Sequence, residues 1–473
     1  MGARERLDGG RMIVPSNQMD EEKRSDLIDR VNAMRKEVES KLFPIESLDP
    51  RKPAVFLSVG GGELGDLAVT AAKRHFGGAC GGVRAVAFDK YEGFPAQDAA
   101  DASEVFDMMD GNLLEKKIMK YIPDPSEPHA IYLEVERIDT YRAYQLGMEK
   151  GYKVMSTPYG PLVCMDRHAT KIMFERLKLD MVDWAYASSD DLVHEAAKEF
   201  GLPVIVKPVM TSSGHGTSIV KDKKQLDSCY RHAVEHARGG GNEVIVERFL
   251  PELKEKGTEI TQIVVRHFND KGRIMDSFLP PIEHKRPGAT YHESWLPAAI
   301  SGKAAVKCRE GAARIADFLG GLGIYAVEQF VLGDSVHNNE VANRPHDTGL
   351  VTRWMLNMDE GAVQLASTLG LQITPAQLEI AKKGINGVAH VILAPESIKA
   401  EAAVTGWNPN RINAYISEKK AKADVWYFGK PTAYAGRRMG LAVAFNEDLA
   451  KAREDAGLVA HLAEMCINYG GGK

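Results

Sequence analysis

Cysteine is scarce in this chain: five residues in 473, widely scattered, with no CxxC pair. The odd count and the spacing argue against a disulfide framework and indicate reduced thiols in a cytosolic protein. Long hydrophobic runs are absent too; none approaches the ~18 residues that span a bilayer. The start, Met1-Gly-Ala-Arg-Glu-Arg-Leu7, lacks the apolar stretch of a secretory signal, and Arg6 stands where a myristoylation signal wants Ser or Thr. A basic excess is missing as well. With a net charge of −5 and a pI near 6.3, no domain of the kind that binds polyanions is expected. Neither an internal repeat nor a low-complexity tract is present. These absences leave a cytoplasmic globular chain, long enough for roughly three domains, with no membrane and no nucleic acid among its expected partners.

What is present is charge in places that resist it. The segment Glu340-Val-Ala-Asn-Arg-Pro-His-Asp-Thr-Gly349 gathers Glu340, Arg344, His346 and Asp347. Upstream, Glu328 lies inside Ile324-Tyr-Ala-Val-Glu-Gln-Phe-Val331, whose apolar neighbours predict a buried strand. An acid there is costly to bury unless it meets a cation. Glu328 and Glu340 on neighbouring strands would hold Mg²⁺ against nucleotide phosphates, because Mg²⁺ prefers oxygen ligands and takes several from the phosphates. Arg344 beside them would neutralise a transferring phosphoryl group. A salt-bridged sheet edge followed by a turn would use the same residues equally well.

Residues 1–20 are polar and expected to be poorly ordered. From Glu21 to Phe43, Leu27, Ile28, Val31, Met34, Val38 and Leu42 recur at helical spacing on one face, so this helix packs on the body or on a partner subunit. Strand Ala54–Val59 runs into Gly60-Gly-Gly-Glu-Leu-Gly65 and then an alanine-rich helix. Glycines there allow close backbone approach, and the helix start favours an anion. With Asp89 after the next strand, the turn formally matches a dinucleotide fingerprint, a weak signal by itself. A third strand leads to Glu134 and Glu136, at the edge where open α/β sheets bind ligands.

The middle of the chain changes character. Leu202-Pro-Val-Ile-Val-Lys-Pro208 is an apolar strand ending in Lys207, followed by a small-residue loop, 209–218. A lysine beside such a loop suits phosphates, the ammonium as a point charge and the loop N–H groups as a cradle. The order and spacing are not those of a Walker A motif. Glu243-Val-Ile-Val-Glu-Arg-Phe-Leu250 is another apolar strand with acids, and Thr258–Val265 alternates like a strand with one wet face. Near the end, Lys430, Arg437 and Arg438 cluster in a turn between strands, suited to a phosphate monoester or simply to solvent.

Taken in order, these segments resemble the ATP-grasp ligases, and closely the formate-dependent phosphoribosylglycinamide formyltransferases of purine synthesis. The resemblance runs from about residue 53 to 470. It is carried by Gly60–Gly65, Met165-Asp-Arg167, Ile205-Val-Lys-Pro-Val-Met210, Val244-Ile-Val-Glu247, Glu293-Ser-Trp295, Arg344-Pro-His-Asp-Thr-Gly349, Phe428-Gly-Lys-Pro431 and Arg437-Arg438. It implies an α/β and α+β fold: an extension with an amphipathic helix (1–50), a Rossmann-like domain (51–165), an ATP-grasp domain (166–385) and a small β-rich C-terminal domain (386–473). It further implies that Arg167 and Lys207 touch ATP phosphates under a loop containing Ser212, Ser213, Gly214, His215, Gly216 and Thr217. Glu247, Arg248, Phe249 and Leu250 would hold adenine, Glu259 the ribose, and Glu328 and Glu340 the Mg²⁺. Glu63, Leu64, Glu134, Asp347, Lys430, Arg437 and Arg438 would bind glycinamide ribonucleotide. Lys207, Arg344 and Asp347 would be catalytic, the last as the nearest candidate base. ATP, formate and the ribonucleotide are the implied small-molecule substrates, and a homodimer the implied assembly.

The chain departs from that pattern in three places. The family's phosphate loop usually reads Ser-Ser-Ser-Gly-Lys-Gly-Gln; here it is Thr211-Ser-Ser-Gly-His-Gly-Thr217. His215 replaces a permanent cation with a group mostly neutral near pH 7. The amino-terminal extension and an insertion near 397–414 also exceed the usual length. Two other readings stand beside the transferase: a paralogous ligase for another small carboxylate, and a catalytically silent nucleotide binder. The silent binder would be expected to have lost Lys207, Glu328 or Glu340, and all three are present.

Overall fold

The computed structural model describes residues 19–135, 137–211, 214–237, 241–287 and 291–470. The expectations for residues 1–18, Glu136, Ser212 and Ser213 lie outside them.

Four strands, β1 (Ala54–Val59), β2 (Val83–Asp89), β3 (Ala102–Val105) and β4 (His129–Leu133), form a parallel sheet in the order β3-β2-β1-β4. The near-continuous apolar runs of β1, β2 and β4 suit this, since a parallel sheet is covered on both faces. The glycine turn after β1 leads into helix Glu63–Phe76, which closes on Gly77 in a left-handed cap. This helix packs on helix Glu360–Leu369, buried along its whole length. A Cβ at Gly361 would stand 2.7 Å from Leu67 Cγ, so glycine sets that close approach.

A second sheet holds β5 (Trp184–Ala187), β6 (Val204–Pro208), β7 (Ser218–Val220) and β8 (Val244–Arg248), antiparallel in the order β5-β8-β6-β7. Helices Asp190–Phe200 and Lys223–Glu235 cover it, and it has its own small core around Val193, Val206, Leu226 and Val246. Next come β9 (Thr258–Phe268), β10 (Ile274–Phe278), β11 (Ile282–Lys285), β12 (Glu293–Leu296), β13 (Gly323–Leu332), β14 (Ser335–Ala342), β15 (Asn386–Leu393), β16 (Ala402–Trp407), β17 (Ala423–Tyr427), β18 (Thr432–Ala433), β19 (Arg438–Asn446) and β20 (Ile467–Tyr469). Nine of them make one antiparallel sheet, β14-β13-β9-β11-β12-β15-β19-β17, with β10 also on β9. Strands on both sides of residue 385 therefore share a sheet. β16, β18 and β20 form a separate three-stranded patch.

Helix Glu21–Ser40 begins at Asp20, whose carboxylate caps it through Lys23 N–H, and stops three residues before the expected Phe43. Its apolar stripe faces the body: Leu27, Ile28, Val31 and Met34 pack with Tyr159, Phe174, Ile315 and Leu319. Among the described residues no helix is long and apolar enough to cross a membrane, and all five cysteines are free thiols.

Candidate active site

Apolar strands supply most of the first charged cluster. β6 and β8 pair so that Ile205 faces Glu247 and Lys207 faces Ile245. Lys207 and Glu247, two residues apart in register, thus share one sheet face, and Lys207 Nζ lies 2.7 Å from Glu247 Oε2. Lys171 Nζ takes the other oxygen at 2.7 Å. Arg167, first residue of helix Arg167–Arg176, reaches β14: its Nε donates to Glu340 Oε1 at 2.9 Å and Nη2 to Oε2 at 3.3 Å. Lys207 Nζ is 3.7 Å from the same carboxylate. Burial alone would raise both acids, but Lys171 and Lys207 hold Glu247 well below the usual carboxylate range, and Arg167 and Lys207 hold Glu340 down.

Glu328 on β13 sits directly opposite Glu340 on β14. Its Oε1 accepts from Arg286 Nη2 at 2.5 Å and lies 3.0 Å from His346 Nε2. Against burial, Arg286 and His346 depress its pKa. Two half-buried carboxylates in register are a fitting donor set for Mg²⁺, which takes one or two protein carboxylates and completes its shell with phosphates and water. Among the described residues no group of three His, Cys, Asp or Glu side chains could hold a metal alone, so the shell would depend on substrate oxygens. Beside Glu328, buried His284 has neither ring nitrogen hydrogen-bonded, and burial, then Arg286, lowers its pKa to about 3.

A second cluster assembles from distant segments. Glu63 opens helix Glu63–Phe76 and receives Lys430 Nζ at 2.8 Å and Arg438 Nη2 at 3.0 Å. The other arm of Arg438 donates to Asp347 Oδ2 at 2.7 Å. Asp347 Oδ1 lies 3.2 Å from His346 Nδ1 and 3.8 Å from Arg286 Nη2. Burial would raise Glu63, but Lys430 and Arg438 bring it down to about 2. Burial lowers Lys430, and the neighbouring Arg438 and Arg437 add to that against the pull of Glu63. The two clusters are two runs of ion pairs, Lys430, Glu63, Arg438, Asp347, Arg286 and Glu328 in one and Arg167, Glu340, Lys207, Glu247 and Lys171 in the other, which meet where Glu328 stands opposite Glu340 in the β13–β14 register.

Other predicted residues stand around these runs. Glu134 lies over the glycine turn, where a Cβ at Gly62 would come 2.9 Å from its carboxylate. Leu64 turns its side chain into the core. Arg437 points elsewhere than Arg438: it donates to Thr432 O and Oγ1 at 2.8 and 2.7 Å and lies over the rings of Tyr91 and Tyr434. Arg344 is half-buried and donates to Pro345 O at 3.0 Å. After β8, Arg248 pairs outward with Asp183, Phe249 N–H donates to Pro203 O, and Leu250 opens helix Pro251–Lys256. Glu259 on β9 has Lys254 at 3.6 Å and His284 at 3.7 Å. In the loop, Gly214 and Gly216 take φ of +72° and +73°, Thr217 N–H donates to Gly214 O, and His215 is exposed.

Two readings change. Asp89, the ribose acid of a dinucleotide fingerprint, instead accepts from Gly61 N–H at 2.9 Å and from Lys90 N–H at 2.7 Å, fixing the turn. Asp347 is a poor base: against burial, His346 and Arg438 hold its pKa far below the usual range. Sequence reasoning missed Lys171, Arg286 and His284. Lys171 follows Arg167 at i+4, hence on the same helix face; that spacing was the available signal. Arg286 and His284 lie beside loop sequence and gave none.

An ATP-grasp domain model matches residues 172–360, and a model described as PurT, C-terminal, matches 411–462. A formate-dependent phosphoribosylglycinamide formyltransferase of Sulfurisphaera tokodaii is 35% identical over 409 residues, covering 86% of this chain and 96% of that protein. One of Methanococcus maripaludis is 36% identical over 410 residues, with 86% and 96% covered. Among solved structures, an ADP complex of N5-carboxyaminoimidazole ribonucleotide synthetase superposes with TM-score 0.72 at 21% identity, covering 89% of this chain and 100% of that one. Glycinamide-RNase-transformylase T from Mycobacterium tuberculosis gives 0.65 at 23%, covering 86% and 99%. Both show a shared fold.

Proposed function

Since the chain belongs to the formate-dependent phosphoribosylglycinamide formyltransferases, we infer that it transfers the formyl group of formate to the amine of glycinamide ribonucleotide with conversion of ATP to ADP and phosphate. A formate oxygen attacks the γ-phosphorus, ADP leaves, and the amine then attacks the formyl carbon of formyl phosphate, expelling phosphate. Phosphoryl transfer leaves the protein mainly positioning and charge neutralisation to do.

Arg167 and Lys207 are assigned to the triphosphate, the loop 211–217 to its cover, Glu247 through Leu250 to adenine, and Glu259 to ribose. Mg²⁺, when held by Glu328 and Glu340, would draw negative charge off the phosphates. Lys430 and Arg438, with Arg437 beside them, receive the 5′-phosphate, while Glu63, Leu64 and Glu134 line that site. Asp347 orients groups through Arg438 and His346 rather than accepting a proton, and Arg344 stabilises charge at the reacting carboxylate. An acyl phosphate hydrolyses in open water, so a closing loop is useful here. In this reading residues 51–165 and 386–473 hold the ribonucleotide and 166–385 the nucleotide, in a cytoplasmic homodimer.

The observation that carries the reading is the meeting of the two clusters at Glu328 and Glu340, which stand opposite each other on β13 and β14 with cations on either side. The test is ADP release from Mg·ATP and glycinamide ribonucleotide, with and without formate. Formate-dependent ADP matched by formylated product is expected. A preference for acetate or another acid would instead mark a paralogous ligase, and no turnover with any acid would mark a silent binder.

A further inference from the structure

Neither family model reaches helix Glu21–Ser40, yet its first turn carries a fully buried arginine. Arg24 Nε donates to Asp166 Oδ2 at 2.8 Å, and Nη2 and Nη1 donate to the Glu243 carboxylate at 2.6 and 3.2 Å. Nη1 also faces His168 Nδ1 at 3.3 Å. Both acids begin a functional element. The second oxygen of Asp166 caps helix Arg167–Arg176 through Ala169 N–H at 2.8 Å, and Glu243 immediately precedes β8, the strand of Glu247. The backbone closes the same joint: Arg167 N–H donates to Val209 O at 3.0 Å and Val209 N–H to Glu243 O at 3.2 Å.

We propose that Arg24 is a positioning residue for the nucleotide site, drawing the start of β8 onto the start of helix Arg167–Arg176 and so setting the distance between Arg167 and Lys207. The helix does not need this arginine to dock, since Leu27, Ile28, Val31 and Met34 already bury its stripe. Buried ion clusters are poor devices for stability and better ones for registry. Remove the guanidinium, and the Asp166 and Glu243 carboxylates lose their shared cation, keeping at the joint His168 and, on Glu243, the Tyr186 hydroxyl that donates at 2.6 Å. Like charges at such range repel, and the relief available is to part the two segments.

The inference rests on the nucleotide reading above, and ADP binding to the wild-type protein by calorimetry checks that reading separately. With wild-type binding established, Arg24→Met is expected to weaken ADP and raise the KM for ATP by tenfold or more, with the ribonucleotide KM changed less than twofold. Combining it with Glu243→Gln, which removes the repulsion, should recover part of the loss. Arg24→Lys, which keeps the charge but cannot bridge both acids, should show a smaller split of the same sign and serves if the methionine variant does not fold. A lowered melting temperature with unchanged ADP affinity in these variants would overturn the proposal and leave Arg24 a structural staple.

Discussion

In the proposed reading the cluster on the nucleotide side comes from residues 167 to 340, and two of its acids are each flanked by two cations: Glu247 by Lys171 and Lys207, Glu340 by Arg167 and Lys207. On the ribonucleotide side the groups come from residues 63, 347, 430 and 438, and burial, with the neighbouring arginines adding to it, depresses Lys430. The first arrangement is compensated within one stretch of chain. The second exists only when both ends of the molecule meet, and its cations would be relieved by an arriving dianion. In the proposed reading one side holds its geometry and the other exchanges an internal partner for a phosphate.

The largest expected effect breaks the first side. Glu340→Gln removes a carboxylate that two cations share, and kcat is expected to fall by about 10²–10³-fold or more with the fold retained by circular dichroism. Near-normal turnover would refute its place at the reacting phosphates. Arg438→Ala tests the second side. It leaves the buried Glu63 and the half-buried Asp347 carboxylates short of a shared cation, a loss of about 3 kcal/mol, the lower end for broken buried pairs. The KM for the ribonucleotide should rise far more than that for ATP, and the reverse order would contradict the division of sites.

A smaller effect sharpens the contrast within a single helix turn. Glu63, brought to about 2, adds stability that is present above pH 4.5 and lost as pH falls through about 2. Asp66, three residues on, is raised to about 6 by burial, only partly offset by Arg353 and Arg74. Its sign is opposite: the stability it adds is present below pH 3.8 and lost as pH rises through about 6. In urea titrations the wild type should therefore gain about 2 kcal/mol on Asp66→Asn between pH 7 and pH 4.5. Glu63→Gln should track the wild type over that range. Parallel curves for all three proteins would reject the assignment. The smallest effect is at exposed His215. His215→Lys adds one solvated charge, worth about 1 kcal/mol or less, so the KM for ATP should drop by about fivefold at most, and no change would show the substitution in this loop to be silent.

How much was legible follows from the same contrast. Lys207, Glu247, Glu328 and Glu340 announced themselves because a charge inside an apolar strand has to be explained, and β6, β8, β13 and β14 fall where those runs lie. Glu63, beside the glycine turn, and Asp347, in the charged segment, could be picked out from the sequence, but nothing local says that residue 63 meets residue 430. Arg24 was hidden in plain view. It precedes Leu27 and Ile28 by three and four residues, which puts it on the buried face of its helix, but a charge at the end of a stripe looks like the stripe's edge. Lys171 and Arg286 belong to segments whose partners lie far off in sequence, and periodicity carries no information about those. The shared sheet across residue 385 was likewise beyond reach, because strand order is decided by pairing rather than by composition.

Arg286 stands where the two clusters meet, 2.5 Å from Glu328 and 3.8 Å from Asp347. A phosphate that takes Arg438 from Asp347 leaves that acid to compete for Arg286, and so alters what holds Glu328. Thermodynamic linkage then requires reciprocity: whatever factor the ribonucleotide imposes on nucleotide affinity, the nucleotide imposes in return. In the proposed reading this arginine, lying between them, ties the affinities of the two sites together.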